Sequence, residues 1–193
     1  MPSLPAITQE GNGDRVNNKL MSSFARLEGQ RARMLHELDQ WSYERLSLRP
    51  KTGAWSALEV VDHLVRTERL VRSTALETLP ERIEVSTAER WKLYLLVCMF
   101  RLPVRVRVPT AVHMILPGAL RPLRDLKVEW GVERQRLQEL LRSPLAATAD
   151  RAAIRHPAVG WINLHGALLF VSVHLKHHTF QMQRLKTSLP PPS

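Results

Sequence analysis

The chain has 193 residues, 44% hydrophobic and 24% charged, with a formal net charge of +10. That length suits one domain with its own buried core, and the balance excludes a fibrous or disordered chain. A single cysteine, Cys98, excludes an internal disulfide, and the surplus of Lys and Arg raises a nucleic-acid reading that must be weighed.

Residues 1–14 carry Pro, Gly, Asn and acidic side chains, with no basic start and no apolar stretch behind it. They predict no secretory signal, so the protein is expected in the reducing cytoplasm. The expected organisation is a disordered lead-in over 1–13, one helical domain over 14–187, and a disordered tail over 188–193 that holds Pro190, Pro191 and Pro192. Helical periodicity dominates the domain. A first helix is expected over about 14–46, where Leu20, Phe24, Leu27, Met34, Leu35, Leu38 and Trp41 form one apolar stripe. Arg49 to Gly53 breaks it.

Ser56 followed by Glu59 has the capping-box spacing and opens a second helix that runs to about 79. Ser86 with Glu89 opens a third, to about 100. The stretch 102–122, rich in Pro and Arg, is irregular or only briefly helical. A fourth helix over about 123–142 turns Leu126, Trp130, Leu137, Leu140 and Leu141 inward, and after a loop over 143–160 the last helix spans about 163–187. The Val–Arg alternation over 101–109 is one short strand at most and cannot make a sheet. The fold class is therefore all-α, a four-helix bundle with extra short helical or irregular segments.

The most apolar stretch, 91–120, is broken by Arg101, Arg105, Arg107, Pro103, Pro109 and Pro117, so no transmembrane segment is expected. Its apolar excess over 93–120 points to a partner surface, read here as a homodimer. The basic residues are scattered without interleaved aromatics, so they read as solvated faces and no specific nucleic-acid partner is expected. Cys98, in the run 95–100, reads as a buried, inert thiol.

Chemistry concentrates in the last helix. His174 and His178 lie four residues apart, which stacks their side chains on one face about 6 Å apart, within reach of one ion. His63 falls on the inward half of the second helix with Val60 and Leu64. Facing helices sit about 8–10 Å apart, so a third imidazole can meet the same ion. The spacing is equally compatible with core histidines bonded to carbonyls.

Trp55, Ser56, Glu59, His63 and Leu64 resemble the "WS…E…HL" motif of the DinB/YfiT-like family, metalloenzymes that include bacillithiol transferases. His174, His178 and Gln181 resemble its "H…H..Q" motif, and 156–160 (His-Pro-Ala-Val-Gly) its "HP.fG" turn, with Val159 in the aromatic position. The three motifs occur in family order between Leu20 and Leu185. The resemblance implies a four-helix bundle with a three-histidine centre in a cleft, its ligands His63, His174 and His178.

Three neutral imidazoles leave a coordination position open, as catalytic sites do. A divalent ion there would lower the pKa of a water toward about 7 or hold a thiol as thiolate. The resemblance favours a low-molecular-weight thiol passed to an electrophilic substrate, with hydrolysis as the related alternative. A non-catalytic metal-binding or interaction bundle is a further one, and a basic nucleic-acid or membrane-surface binder ranks last. Zinc or nickel leads the metals, followed by iron, manganese and copper; imidazole suits zinc, nickel, iron and copper alike.

Around the centre, Glu59 is preferred over Asp62 as hydrogen-bond partner of His63, with Asp62 expected to be solvated. Gln181 is expected to meet substrate or to cap the cleft, His165 to line its mouth, and His177 to be exposed. Arg101, Arg105 and Arg107 read as a solvated loop, with recognition of an anionic thiol as the sharper alternative.

Overall fold

Ser56 stops the chain in extended backbone and accepts from the Glu59 backbone N–H, while the Glu59 carboxylate accepts from the Ser56 N–H at 2.8 Å. This reciprocal cap, worth about 1 kcal/mol, starts helix α3 where the sequence spacing places it. Ser86 and Glu89 start α4 in the same way. The computed structural model describes residues 10–51, 53–102 and 114–188, with side chains from Arg15 onward. Its helices are α1 (Glu10–Leu38), α2 (Tyr43–Ser47), α3 (Ala57–Thr78), α4 (Thr87–Arg101), α5 (Leu123–Arg142) and α6 (Leu164–Ser188).

The expected first helix is broken. After Leu38 a turn carries Trp41 into the core, and Ser42 caps the separate five-residue α2 by accepting from the Arg45 N–H. The Arg45 guanidinium lies over the Trp41 ring at 4.5 Å, which fixes the corner. The apolar period continues through the corner, so periodicity alone reads it as uninterrupted helix.

Four long helices make the bundle: α1 packs on α5 and α6, and α3 packs on the same two. The apolar stripes read from the sequence are the buried ones, including Leu20, Leu27, Leu38, Val60, Leu64, Leu126, Trp130 and Leu141. Two apolar clusters fill it, one holding Phe100, Leu137 and Phe170, the other Val60, Trp130 and Leu175. Helix α4 lies outside the four, against α6, with only Val97 and Phe100 fully inward. Its outer side exposes Trp91, Tyr94 and Leu95, and Leu102 just past its end is exposed as well. Cys98 is half-buried rather than sealed.

The loop expected over 143–160 holds a hairpin. Strands β1 (Ala152–His156) and β2 (Gly160–Asn163) pair antiparallel, with a register irregularity between Ala152 and Ile154. Gly160 closes it at φ 96°, a conformation that costs other residues strain. Glu89 accepts from the Trp161 N–H at 2.6 Å, tying the hairpin to the start of α4. Strands only five and four residues long, one opening on two Ala and the other running from Gly to Asn, are too short and mixed to stand out in sequence. The Val–Arg alternation expected to make no sheet, with Arg105 and Arg107, falls mostly outside the described residues. No described helix is long and apolar enough to cross a membrane.

Candidate metal centre

His63 lies in the second turn of α3, one turn past its capped start, and His174 and His178 lie one turn apart on the facing side of α6. All three are buried. Their imidazoles turn the same atom to a common point: His63 Nε2 lies 3.2 Å from His174 Nε2, which lies 3.1 Å from His178 Nε2. The three ligand atoms fall within 4.8 Å of one another.

The outer nitrogens decide what those Nε2 atoms carry. His63 Nδ1 is 2.7 Å from the Ile115 carbonyl oxygen, which can only accept, so Nδ1 holds the proton. His178 Nδ1 is 2.8 Å from Gln181 Oε1, again an acceptor. Both rings are thereby fixed as Nδ1–H tautomers with a bare Nε2 lone pair facing inward. His174 can donate to one of them at most. Lone pairs converging at about 3 Å repel in a dry interior unless a cation stands among them. Bonds of about 2.0–2.1 Å to one tetrahedral ion would separate two nitrogens by about 3.4 Å, close to the spacing here. The residues present therefore fit a divalent metal.

Burial holds the site neutral. Desolvation, joined by repulsion from neighbouring imidazoles, pushes His174 well below the ordinary histidine pKa, and the same causes bring His178 to about 3. Desolvation also lowers His63, against the Ile115 carbonyl and Asp62, which favour its protonated form. At neutral pH all three are unprotonated, the state metal binding requires.

The support for His63 differs from the expected one. Glu59 does not touch it: the carboxylate is taken up by the Ser56 cap and by Arg49. The first-turn position that makes Glu59 a good capping residue turns it away from the ring. Asp62, expected in solvent, is buried. It pairs with Arg66 at 2.8 Å and accepts from the Gly118 N–H at 2.8 Å. Asp62 thus holds the segment after Met114 against α3, and that segment delivers the Ile115 carbonyl to the adjacent His63. A Cβ at Gly118 would meet the Arg66 guanidinium at 2.5 Å, so a side chain there would require Arg66 to shift. A main-chain acceptor from 52 residues away leaves no side-chain signal in the sequence.

In front of the triad opens a cavity of about 1270 Å³. Trp55 borders it, its ring 4.9 Å from that of His63, and Phe170 stacks on His174 at 5.5 Å. His156 of the hairpin also lines it. His177, expected to be exposed, is buried: α4 covers that face of α6, with Phe100 5.2 Å from its ring. A rule of helical phase has no knowledge of a fifth helix packed outside the bundle. His165 is not at the cleft. It lies beside Asn18, Lys19 and Arg26 in a separate shallow depression between α1 and α6. Its nine-residue offset from His174 is 2.5 helical turns, which places it on the opposite side. Arg101 is exposed at the end of α4.

The family model of the DinB superfamily matches residues 26–182. The chain belongs to the DinB superfamily. The Bacillus subtilis protein YuaE, itself uncharacterized, is 25% identical over 160 residues, covering 80% of this chain and 91% of its own. Among solved structures, this DinB chain is similar to YfiT from Bacillus subtilis, with a TM-score of 0.53 at 17% identity. The match covers 97% of this chain and 92% of YfiT, which is described as a probable metal-dependent hydrolase with an unusual four-helix bundle topology. The likeness bears on the fold, a helical bundle of the DinB type.

Proposed function

We propose that this DinB protein holds one divalent metal on His63, His174 and His178 and activates a nucleophile there against a small-molecule electrophile. The observation that carries the reading is the convergence of three buried imidazoles, two of them locked with Nε2 bare. A bound metal supplies Lewis acidity and favours the deprotonated form of a nucleophile at neutral pH. The protein's own residues do the rest. Ile115 and Gln181 hold the ring tautomers, Trp55 and Phe170 fix the rings in place, and the apolar walls exclude water.

A low-molecular-weight thiol is the nucleophile of first choice. Its support is the family resemblance together with the cavity, which exceeds the roughly 300–1,000 Å³ of a one-ligand pocket and so has room for thiol and electrophile at once. In such a transfer the thiol loses its proton to solvent and its sulfur forms a bond to carbon. The leaving group departs with the electron pair of the bond it breaks. Hydrolysis is the second reading, supported by the likeness to YfiT. Zinc or nickel is the metal of first choice, then iron, manganese or copper.

Metal content per chain tests the centre: about one equivalent is expected in the wild type, and none in His63→Ala or in the His174→Ala/His178→Ala double variant. Wild type that stays metal-free after incubation with zinc and nickel overturns the reading. Turnover of monochlorobimane with and without a thiol then separates transfer from hydrolysis. The homodimer proposed from the sequence has its candidate face in Trp91, Tyr94 and Leu95 of α4, and sedimentation velocity of Leu95→Asp against wild type tests it.

A further inference from the structure

The cavity is lopsided in charge. Lys51, Arg155 and Arg184 line it, and no Asp or Glu does among the described residues. This is not for lack of acids nearby. Asp62 and Glu59 sit beside the site, but each is already taken up by arginines and backbone N–H groups. Arg184 is half-buried, and among the described residues no carboxylate pairs with it, whereas Arg66, Arg69, Arg72, Arg121 and Arg134 of the bundle all have one. Among the described residues no anion neutralises the Arg184 charge, which leaves it open to an anionic ligand in the cavity.

The walls are otherwise apolar and aromatic. Along α6 the cavity runs from Phe170 past His174 and His178 to Arg184, about 21 Å at the helical rise. Phe100 and Phe170 make one end, their rings 6.2 Å apart, with Val71 and Ile154 beside them. Arg184 stands at the other, and the triad lies between.

We propose that the substrate of this site is an amphipathic organic anion, its apolar body against Phe100 and Phe170 and its acid group on Arg184. Its reacting bond then lies at the triad, a clause that rests on the proposed metal centre; the binding itself does not. Carboxylate, sulfonate and phosphate share the needed chemistry, because a guanidinium donates two parallel hydrogen bonds to each.

The test is equilibrium binding of two fluorescent probes with one aromatic body, one anionic (8-anilinonaphthalene-1-sulfonate) and one neutral (N-phenyl-1-naphthylamine). The full chain is measured both metal-loaded and chelator-treated, with circular dichroism to show native fold. The sulfonate is expected to bind one per chain and at least tenfold more tightly than the neutral probe. Arg184→Gln should weaken the sulfonate roughly tenfold or more, the gap a charge-assisted pair typically makes. It should leave the neutral probe within about twofold, and Arg184→Lys, which keeps the charge but not the paired hydrogen bonds, should bind the sulfonate with an affinity between wild type and Arg184→Gln. Equal binding of the two probes, sulfonate affinity indifferent to Arg184→Gln, or no sulfonate binding by natively folded protein overturns the proposal. Metal content decides the metal centre separately, so either reading can fail while the other stands.

Discussion

Gln181 offers the sharpest test of how the triad is held. Its Oε1 accepts from His178 Nδ1–H at 2.8 Å, which orients the ring, fixes its tautomer and makes Nε2 a better donor to an ion. Gln181→Leu keeps the volume and removes the acceptor. The N–H is then left without a partner in a site that is 5% exposed, and the ring is free to rotate or to protonate Nε2 instead. Removing such a partner costs about 10–100-fold in metal affinity, or about 1.4–2.7 kcal/mol. Gln181→Glu reverses the sign, because an anionic acceptor strengthens the hydrogen bond and raises the basicity of the ring. Competition for zinc against a chromophoric chelator at pH 7.5 measures both variants. The expected order is Glu above wild type above Leu. Leu and Glu variants that both match wild type would refute the claim that this bond tunes the centre, even with His178 itself confirmed as a ligand.

Three further outcomes follow from burial and backbone geometry. His178 titrates near 6.5 unfolded but at about 3 folded, so below pH 6.5 the unfolded chain binds more protons and stability falls with pH. From pH 7.5 to 5.5 this removes about 1.4 kcal/mol through His178 alone. Urea titrations of metal-free protein should show that loss shrinking in His178→Phe, and an unchanged pH dependence in that variant would contradict it. Arg134 and Glu68, both buried, share two hydrogen bonds of 2.6 Å. Arg134→Met alone should cost about 3–5 kcal/mol in thermal or urea unfolding, and adding Glu68→Leu should recover most of it, since the single change strands a buried carboxylate. Gly160→Ala should destabilise by about 1–3 kcal/mol, because its φ is 96° and a Cβ there meets Glu89 Oε1 at 2.5 Å. Wild-type stability in that variant would mean the hairpin turn relaxes freely.

Much of the bundle was legible because its signals are local. The two Ser–Glu caps place the starts of α3 and α4 to the residue, and the apolar stripes of α1, α3 and α5 are the ones that pack. The triad was legible for the same reason: an i,i+4 pair and an inward histidine each follow from helical phase, and the bundle brings the two helices together. What escaped depends on contacts between distant segments. Ile115 acts through a carbonyl that every residue possesses, Asp62 acts by holding Gly118, and His177 is buried by a helix that helical phase does not foresee. His165 shows the converse, a correct helix with the wrong face assigned after two and a half turns.

These non-local contacts also explain why the centre sits near the start of α3 rather than elsewhere along the interface. Asp62 and His63 are adjacent in sequence, so their side chains leave the helix about 100° apart and meet different neighbours. One anchors the segment from Met114 to Gly118, and the other receives its carbonyl. The same short stretch of chain is thus held by α3 and orients His63 on α3. A change at Asp62 should therefore act on metal affinity without touching any ligand. Asp62→Asn keeps an oxygen to accept from Gly118 but gives up the charge that pairs with Arg66 and Arg121. Asp62→Ala gives up both. If the segment is the link, affinity for zinc should fall in the order wild type, Asn, Ala, with the bundle's helical content unchanged. Equal affinity in all three would mean that Ile115 holds its place without Asp62, and that the adjacency of the two residues carries no mechanical meaning.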